Sequence, residues 1–212
     1  MTRNISAIII SPRQELNMPD LLTKLEKRAS SPIADQPFEQ ALYPVFGNAY
    51  IGYYNDCLII TDFAWPEGCM SAELSEIERI LSAAFPDAEI CSLLLYPPVN
   101  LWGYSIVKNG EKIRARAGAA TVGTFLEMGI PLDEERPLFG NCTVDGEGNK
   151  VYLRDGIFYE EDHVGHTFVA AVAERYIGEP LDNEASPLYA TPFKGYRYLP
   201  ERPVAKPWWK FW

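Results

Sequence analysis

Apolar residues recur at helical spacing in three segments of the chain. In residues 17–28, 71–85 and 162–177 they return every three or four positions and share one face, which predicts a helix in each segment. The first helix begins with Asn17, a residue type that caps helices, and the last is followed by Gly178, a residue type that ends them. We therefore expect about three helices in the fold.

Shorter apolar runs between turn residues predict an antiparallel sheet. The run at residues 90–96 is almost continuously apolar, which is typical of a central strand that is buried on both faces. Asn109-Gly110 separates two strand-like runs and supplies the two positive φ angles that a type I′ hairpin turn requires. Further turn residues predict hairpins at 50–61 and at 151–159. The expected fold class is α+β, with a mainly antiparallel, hairpin-rich sheet on which the helices pack.

Composition separates a domain from a tail at residue 186. The 212 residues are 47% hydrophobic, which is enough for a buried core without a metal or a disulfide. Residues 1–186 are expected to form a single α+β domain. Residues 187–212 are rich in proline and aromatic residues and show neither helical nor strand periodicity. We expect them to form an extended basic tail that packs on the domain or on a second subunit.

The charge of the chain is acidic and unevenly distributed. A net charge of −10 argues against a nucleic-acid surface, because binding phosphates requires clustered lysine and arginine residues. From residue 194 onward there are five cations against one acid, whereas residues 1–193 carry 14 cations against 28 acids. An acidic body of this kind attracts a basic partner, and the basic end can bind to the body or to another subunit.

The first residues and the cysteines indicate the cytoplasm. The first apolar run, residues 7–10, is too short for a secretory signal or a membrane span, so no transmembrane segment is expected. The four cysteines form no Cys-x-x-Cys pair, and three of them lie in or beside apolar stretches. This distribution is typical of buried free thiols in a reducing compartment.

Residues 94–139 contain a set of short motifs. Trp102-Gly103 begins a hairpin, Asn109-Gly110 forms its turn, Arg114 follows, and Gly129-Ile-Pro-Leu comes after it among glutamates. In these features the stretch resembles a family of uncharacterised bacterial proteins. The resemblance implies a bacterial origin and a compact cytosolic domain, and it brings no established activity or catalytic residue.

The two histidines, His163 and His166, lie in an acidic segment at a predicted helix start. With Asp162 as the first helical residue, Asp162 and His166 are one turn apart, and both histidines share a side. The three side chains are therefore candidate ligands for a divalent metal. The alternative is structural, because Asp162 is a good helix cap and acids are favoured at helix N-termini. The sequence indicates no other cofactor.

Arg114 and Arg116 alternate with alanines on a predicted strand, so both side chains leave the same face. They are candidates for contact with an anionic ligand or with the carboxylates of a partner. The alternative interpretation is a solvated sheet face on which the two arginines pair with nearby acids.

The segment from Trp208 to Trp212 interleaves aromatic and basic residues. Trp208, Trp209 and Trp212 are candidates for contact with a membrane interface, a nucleic-acid base or the groove of a partner. Because three exposed tryptophans favour aggregation, we expect them to pack on their own domain or in a homodimer.

Sequence motifs for nucleophilic hydrolysis, phosphate binding and dinucleotide binding are absent from the chain. Residues 145–149 resemble the start of a calcium loop but lack its later glycine and glutamate, which predicts a hairpin loop. Carboxylates that act in a cleft leave no local signature. Candidates of this kind are Asp62, Glu67, Glu127, Glu134 and Glu135.

Two functions therefore remain open. The first is a non-catalytic binding protein whose acidic surface recognises a basic protein partner, as immunity proteins of toxin pairs do. The second is a metal-assisted or carboxylate-based hydrolase with a site near Asp162, His163 and His166.

Overall fold

Twelve strands and six α-helices follow one another along the residues that the computed structural model describes, namely 3–25, 28–120, 122–181 and 183–199. The strands are β1 (Ile5–Ser11), β2 (Arg28–Pro37), β3 (Asn48–Tyr54), β4 (Cys57–Asp62), β5 (Glu89–Tyr96), β6 (Leu101–Lys108), β7 (Glu111–Ala119), β8 (Gly123–Gly129), β9 (Cys142–Val144), β10 (Lys150–Arg154), β11 (Ile157–Glu160) and β12 (Pro192–Leu199). The helices are α1 (Met18–Lys24), α2 (Phe38–Ala41), α3 (Trp65–Gly68), α4 (Glu76–Ala84), α5 (Arg136–Gly140) and α6 (Glu161–Ile177).

Nine of the strands form one sheet in the order β2-β12-β3-β4-β1-β5-β6-β7-β8. The other three form a small sheet in the order β11-β10-β9. Every strand pairing in both sheets is antiparallel. The prediction of a mixed fold with a large antiparallel sheet is confirmed. β5 lies near the middle of the large sheet, as the apolar run at residues 90–96 predicted.

The predicted hairpins form where the turn residues indicated them. Asn109 and Gly110 both have positive φ angles, 53° and 78°, and join β6 to β7. Asp155 and Gly156, with φ angles of 52° and 78°, join β10 to β11 in the same way. Local backbone preference therefore decides these connections.

The helix count differs from the prediction, since the described residues contain six helices and about three were expected. α1, α4 and α6 correspond to the three predicted segments, whereas α2, α3 and α5 are only four or five residues long. Fewer than two helical turns leave no periodicity in the sequence. The start of α4 was predicted at Ser71, which is wrong. The helix is capped by Ser75, which forms a reciprocal pair of hydrogen bonds with Glu78.

Helices cover both faces of the large sheet, which explains why its central strands are apolar on both sides. On β1, Ile9 faces one core, together with Phe168 and Val172 of α6. Ile8, its neighbour, faces a second core, together with Leu22 of α1. Cys57, Cys69 and Cys91 are buried free thiols, as predicted, and Cys142 is half-buried.

The boundary expected at residue 186 does not separate the sheet from a tail. Residues 192–199 form β12, which is inserted between β2 and β3. β2 was also missed. The first helix was predicted to run to residue 28, but it ends at Lys24, and the chain is already extended from Arg28. Trp208, Trp209 and Trp212 lie outside the described residues. In the part of the chain that is described, no helix combines the length and apolar character needed to cross a membrane.

Candidate functional site

Two arginines of β7 lie at the centre of a buried group of charged residues, which we call the arginine cluster. Arg114 and Arg116 leave the same face of the strand, as the alternation predicted. Neither side chain has any exposed surface. The carboxylates around them belong to Glu127 on β8, Glu135 before α5 and Glu161 in the first turn of α6.

Arg114 binds Glu135 at two points. Its Nε donates to one carboxylate oxygen at 2.9 Å and its Nη2 to the other at 2.5 Å. The same carboxylate accepts hydrogen bonds from the hydroxyl of Tyr104 and from the backbone N–H of Leu132, the latter at 2.7 Å. All lone pairs of this buried group are thus directed at donors, which is the condition for holding an ion pair away from water.

Arg116 is bound by charge and by aromatic rings. Its Nε donates to Glu127 at 3.2 Å, and its Nη2 donates to Glu161 and to the hydroxyl of Tyr152. The ring centres of Phe168, Phe139 and Trp102 lie 4.1, 4.8 and 5.1 Å from the guanidinium carbon. Within the described residues, its Nη1 has no hydrogen-bond partner. The rings supply favourable cation–π contacts there.

The charges of the arginine cluster stabilise one another. Burial alone raises the pKa of Glu127, but Arg116 and Arg114 outweigh this effect and hold that pKa below the ordinary value. Burial and the carboxylate of Glu161 raise the pKa of Tyr152 well above that of a free tyrosine. Both arginines therefore stay cationic and neutralised inside the protein. The interpretation of a solvated sheet face is wrong, although the predicted pairing with acids is correct, because α6 and residues 132–140 cover this face.

The first turn of α6 brings a second set of polar groups together. Asp162 lies 2.7 Å from Nδ1 of His163 through one carboxylate oxygen, and accepts from Asn100 at 3.2 Å through the other. Glu160 joins them: one potential ligand atom from each of Glu160, Asp162 and His163 lies within 4.8 Å of the other two. We call these three residues the α6 carboxylate–histidine cluster.

His166 takes a different position from the one that helical spacing predicted. It is half-buried and does not belong to the α6 carboxylate–histidine cluster. Burial lowers its pKa, and the nearby charge of Arg154 lowers it further. The structure therefore brings two of the three predicted metal ligands together and adds Glu160, which precedes the helix and has no place in a helical pattern.

A cavity of about 220 Å³ opens beside this cluster. Its polar walls come from Asn100, Asp162, His163 and His166, and Trp102 forms part of its apolar wall. The indole of Trp102 is almost fully buried, and its N–H has no acceptor among the residues that the structure describes. The indole N–H of Trp102 is therefore a buried donor without a hydrogen-bond partner among the described residues.

The other candidate carboxylates do not meet in one cleft. Asp62 is buried and accepts from the backbone N–H groups of Ala64 and Trp65 at 2.8 and 2.9 Å, so it holds the chain at the start of α3. Glu134 pairs with Arg175 of α6 at 3.3 Å. Glu127 and Glu135 belong to the arginine cluster, and Glu67 lies within α3.

The small sheet exposes apolar side chains that sequence analysis did not single out. Leu153 of β10 is directly opposite Phe158 of β11, so both side chains lie on one face. Their exposed fractions are 43% and 58%. We call these two residues the small-sheet patch. Ile157 is 56% exposed but is opposite Arg154, so it lies on the other face of the small sheet. Tyr152, on the other face of β10, is buried against α6 and anchors the small sheet to the core.

These features define an antiparallel α+β protein with an internally neutralised charge cluster and an open apolar sheet face. The chain belongs to a family of unknown function, DUF6928, which matches residues 20–150. The expectation of a family without an assigned activity is thereby confirmed. Searches of curated proteins and of solved structures returned no match. The matched range includes β7 and Glu135 but ends before α6, which supplies Glu161 to the arginine cluster.

Proposed function

We propose that this protein is a non-catalytic binding protein that recognises a basic protein partner through the small-sheet patch. The observation that carries this proposal is the exposure of Leu153 and Phe158, which lie directly opposite each other on one face of a hairpin. Apolar side chains grouped on a surface and surrounded by polar residues mark sites of protein association. Isolated apolar residues elsewhere on a surface carry no such meaning.

The charge around the small-sheet patch supports a basic partner. Residues 142–162 contain six acids and two cations, Lys150 and Arg154. Both cations already have acidic neighbours, since Lys150 lies 3.7 Å from Glu127 and Arg154 lies 3.7 Å from Asp155. The excess of negative charge attracts a cationic surface and raises its rate of association. An immunity-like role in the bacterial cytoplasm, as the sequence indicates, belongs to the same proposal.

The arrangement of the strongest charges also supports binding over catalysis. Arg114 and Glu135 have no exposed surface and are bound to each other, so neither group is presented to a substrate. A charge cluster of this type fixes the fold and leaves binding to exposed groups, such as those on the outer face of the small sheet.

A double substitution in the small-sheet patch tests the proposal. Wild-type protein is expected to capture a partner with a basic isoelectric point, in a complex that weakens as salt screens the charges. The Leu153→Ser, Phe158→Ser variant is expected to lose this partner. Val45→Ser is the matched control, because Val45 is 74% exposed but lies between α2 and β3.

Two results would contradict the proposal. One is capture of the same protein by the wild type and the double variant, which would place the binding surface elsewhere. The other is self-association of the wild type that the double variant abolishes, as measured by light scattering. That outcome would make the small-sheet patch a contact between copies of the chain.

A further inference from the structure

The residue that precedes α6 is unusual for its position. Glu160 is the N-cap residue of this 17-residue helix, a position at which serine, threonine, aspartate and asparagine are strongly preferred. Its side chain makes no capping hydrogen bond to the helix. The described residues provide it with no hydrogen bond or ion pair at all. The local structure therefore gives no reason for a glutamate here.

The side chain of Glu160 has its neighbours in the α6 carboxylate–histidine cluster instead. Its carboxylate lies close to the carboxylate of Asp162 and the imidazole of His163. Each of the three groups offers one ligand atom within 4.8 Å of the other two. The two carboxylates of this cluster carry negative charges close to each other. Like charges held this close repel each other unless a cation lies between them.

We infer that Glu160, Asp162 and His163 bind one divalent transition-metal ion, and that zinc suits the donor set best. Two carboxylate oxygens and one imidazole nitrogen are ligands that zinc accepts, with water in the remaining position. Calcium and magnesium take oxygen ligands and make little use of imidazole. The inference concerns a binding site beyond the small-sheet patch and does not depend on a protein partner.

Asn100 strengthens the assignment. Its amide donates to the carboxylate oxygen of Asp162 that is turned away from His163, at 3.2 Å. Metal-binding carboxylates are commonly held by such an outer hydrogen bond, which fixes the orientation of the ligand. Asn100 itself has a φ of 45°, in the left-handed region, where asparagine is tolerated better than most residues.

The cavity beside the cluster supplies a second, independent sign of a ligand. Asp162 and His163 line it together with Trp102, whose almost fully buried indole N–H lacks an acceptor in the described structure. A metal ion with three protein ligands keeps water in its coordination sphere, and water oxygens are acceptors. The positive end of the α6 dipole opposes a cation here, but the two carboxylates outweigh this partial charge.

Zinc titration of the purified, chelator-treated full chain tests the inference. Calorimetry is expected to show one zinc ion per chain. The His163→Ala and Glu160→Gln variants are each expected to bind zinc at least about tenfold more weakly, because each loses one ligand. Circular dichroism checks that both variants keep the fold, which is expected because both side chains are at the surface.

Two further variants serve as matched controls. His166→Ala removes the histidine one turn along α6 that lies outside the cluster, and its zinc affinity is expected to equal that of the wild type. Cys142→Ser removes the half-buried thiol, which is the competing soft ligand among the described residues. It too is expected to leave the affinity unchanged.

The outcomes that would overturn the inference are distinct. The wild type binding no zinc would exclude the site, and full affinity in His163→Ala would place it elsewhere. A loss in His166→Ala equal to that in His163→Ala would instead favour the ligand set that helical spacing predicts. The Leu153→Ser, Phe158→Ser variant is expected to bind zinc normally, so failure of the partner proposal and failure of the zinc site are separable.

Discussion

Arg114 and Glu135 form a two-point ion pair in which neither side chain is exposed to solvent. The two residues are 21 positions apart, on β7 and at the start of α5, and the contacts measure 2.9 and 2.5 Å. This pair ties the segment after β8 to the face of the large sheet. The segment in turn keeps water away from the rest of the arginine cluster.

Removal of the carboxylate of Glu135 is expected to destabilise the protein strongly. The Glu135→Ala variant leaves Arg114 buried without its main counter-charge, a change that typically costs about 3–5 kcal/mol of unfolding free energy. Urea unfolding followed by circular dichroism measures the loss. A loss of under about 1 kcal/mol would mean that water reaches Arg114 in solution.

The control is the adjacent residue of the same charge. Glu134 pairs with Arg175, and their side chains are 27% and 34% exposed. A pair of this kind contributes at most about 1 kcal/mol, so Glu134→Ala is expected to be nearly neutral.

Lys112 is expected to hold the loop before α4 in place. Its ammonium lies 3.1 Å from the buried carboxylate of Glu78 and donates to the backbone carbonyls of Cys69, Ser71 and Glu73 at 2.8 to 2.9 Å. Lys112→Ala leaves Glu78 buried and unpaired, and we expect a loss of about 3–5 kcal/mol in urea unfolding.

The loop also offers a more local measurement. Hydrogen exchange of the backbone at residues 69–75 is expected to rise in Lys112→Ala. Lys108→Ala is the control, because its pair with Glu89 is partly exposed, at 48% and 15% of the two side chains. Equal exchange in the two variants would show that Lys112 does not hold the loop.

A methyl group at Gly165 is expected to break the contact between α6 and the sheet. An added Cβ would lie 2.1 to 2.2 Å from the pyrrole atoms of Trp102, far inside van der Waals contact. Overpacking of this kind costs about 1–3 kcal/mol, and it outweighs the better helix propensity of alanine. Thermal unfolding of Gly165→Ala measures the effect.

Gly140→Ala is the matched substitution. Gly140 also lies in a helix, and an added Cβ there meets no atom within 4 Å. Its stability is expected to stay within about 0.5 kcal/mol of the wild type. A stable Gly165→Ala variant would show that α6 is free to move away from Trp102.

Acid is expected to weaken the fold partly through Glu127. Burial raises the pKa of this carboxyl, but Arg116 and Arg114 outweigh burial, so the pKa in the folded protein lies below the ordinary value of 4.5. The unfolding free energy that Glu127 contributes is therefore fully present above pH 4.5, and it is lost as the pH falls through the pKa of the folded state.

Comparison of the wild type with Glu127→Gln isolates this contribution. The difference in unfolding free energy between the two proteins is expected to be largest near neutral pH and to shrink as the pH falls below 4.5. Glu174→Gln, at an exposed position of α6, is the control. If the difference in unfolding free energy between wild type and Glu127→Gln did not change with pH, Glu127 would be excluded as an acid-sensitive group.

Connections decided by neighbouring residues could be predicted from the sequence. The turn at Asn109-Gly110 requires positive φ angles that few residue types adopt, so these two residues are enough to predict its hairpin. The same holds for the cap at Asn17, whose side chain accepts from Asp20 as expected. Such features do not depend on distant parts of the chain.

Pairings between distant segments could not be predicted. β12 lacks a clear apolar alternation because Gly195 occupies one of its buried positions, where a Cβ would lie 2.7 Å from Ile33 and 2.8 Å from Tyr50. The close packing of β2 and β3 around β12 requires glycine at this position. Because glycine is not an apolar side chain, it interrupts the alternation by which a strand is predicted.

The candidate site was predicted only in part, for a similar reason. That Arg114 and Arg116 share a face follows from strand geometry, but their burial depends on Glu161, which is 45 residues away from Arg116. Helical spacing grouped Asp162, His163 and His166, whereas in the structure His166 lies outside the α6 carboxylate–histidine cluster. It could not find Glu160, because that residue precedes the helix.

The insertion of β12 determines when the sheet can be completed during synthesis. In the described sheet β2 pairs with β12 alone, so β2 leaves the ribosome long before its neighbour exists. The nascent chain must keep this segment apart from other chains until residues 192–199 have emerged. A recombinant fragment limited to the family-matched residues 20–150 would keep β2 and lack β12 and the central strand β1. Expression of this protein therefore calls for boundaries that include β1 and residues 192–199.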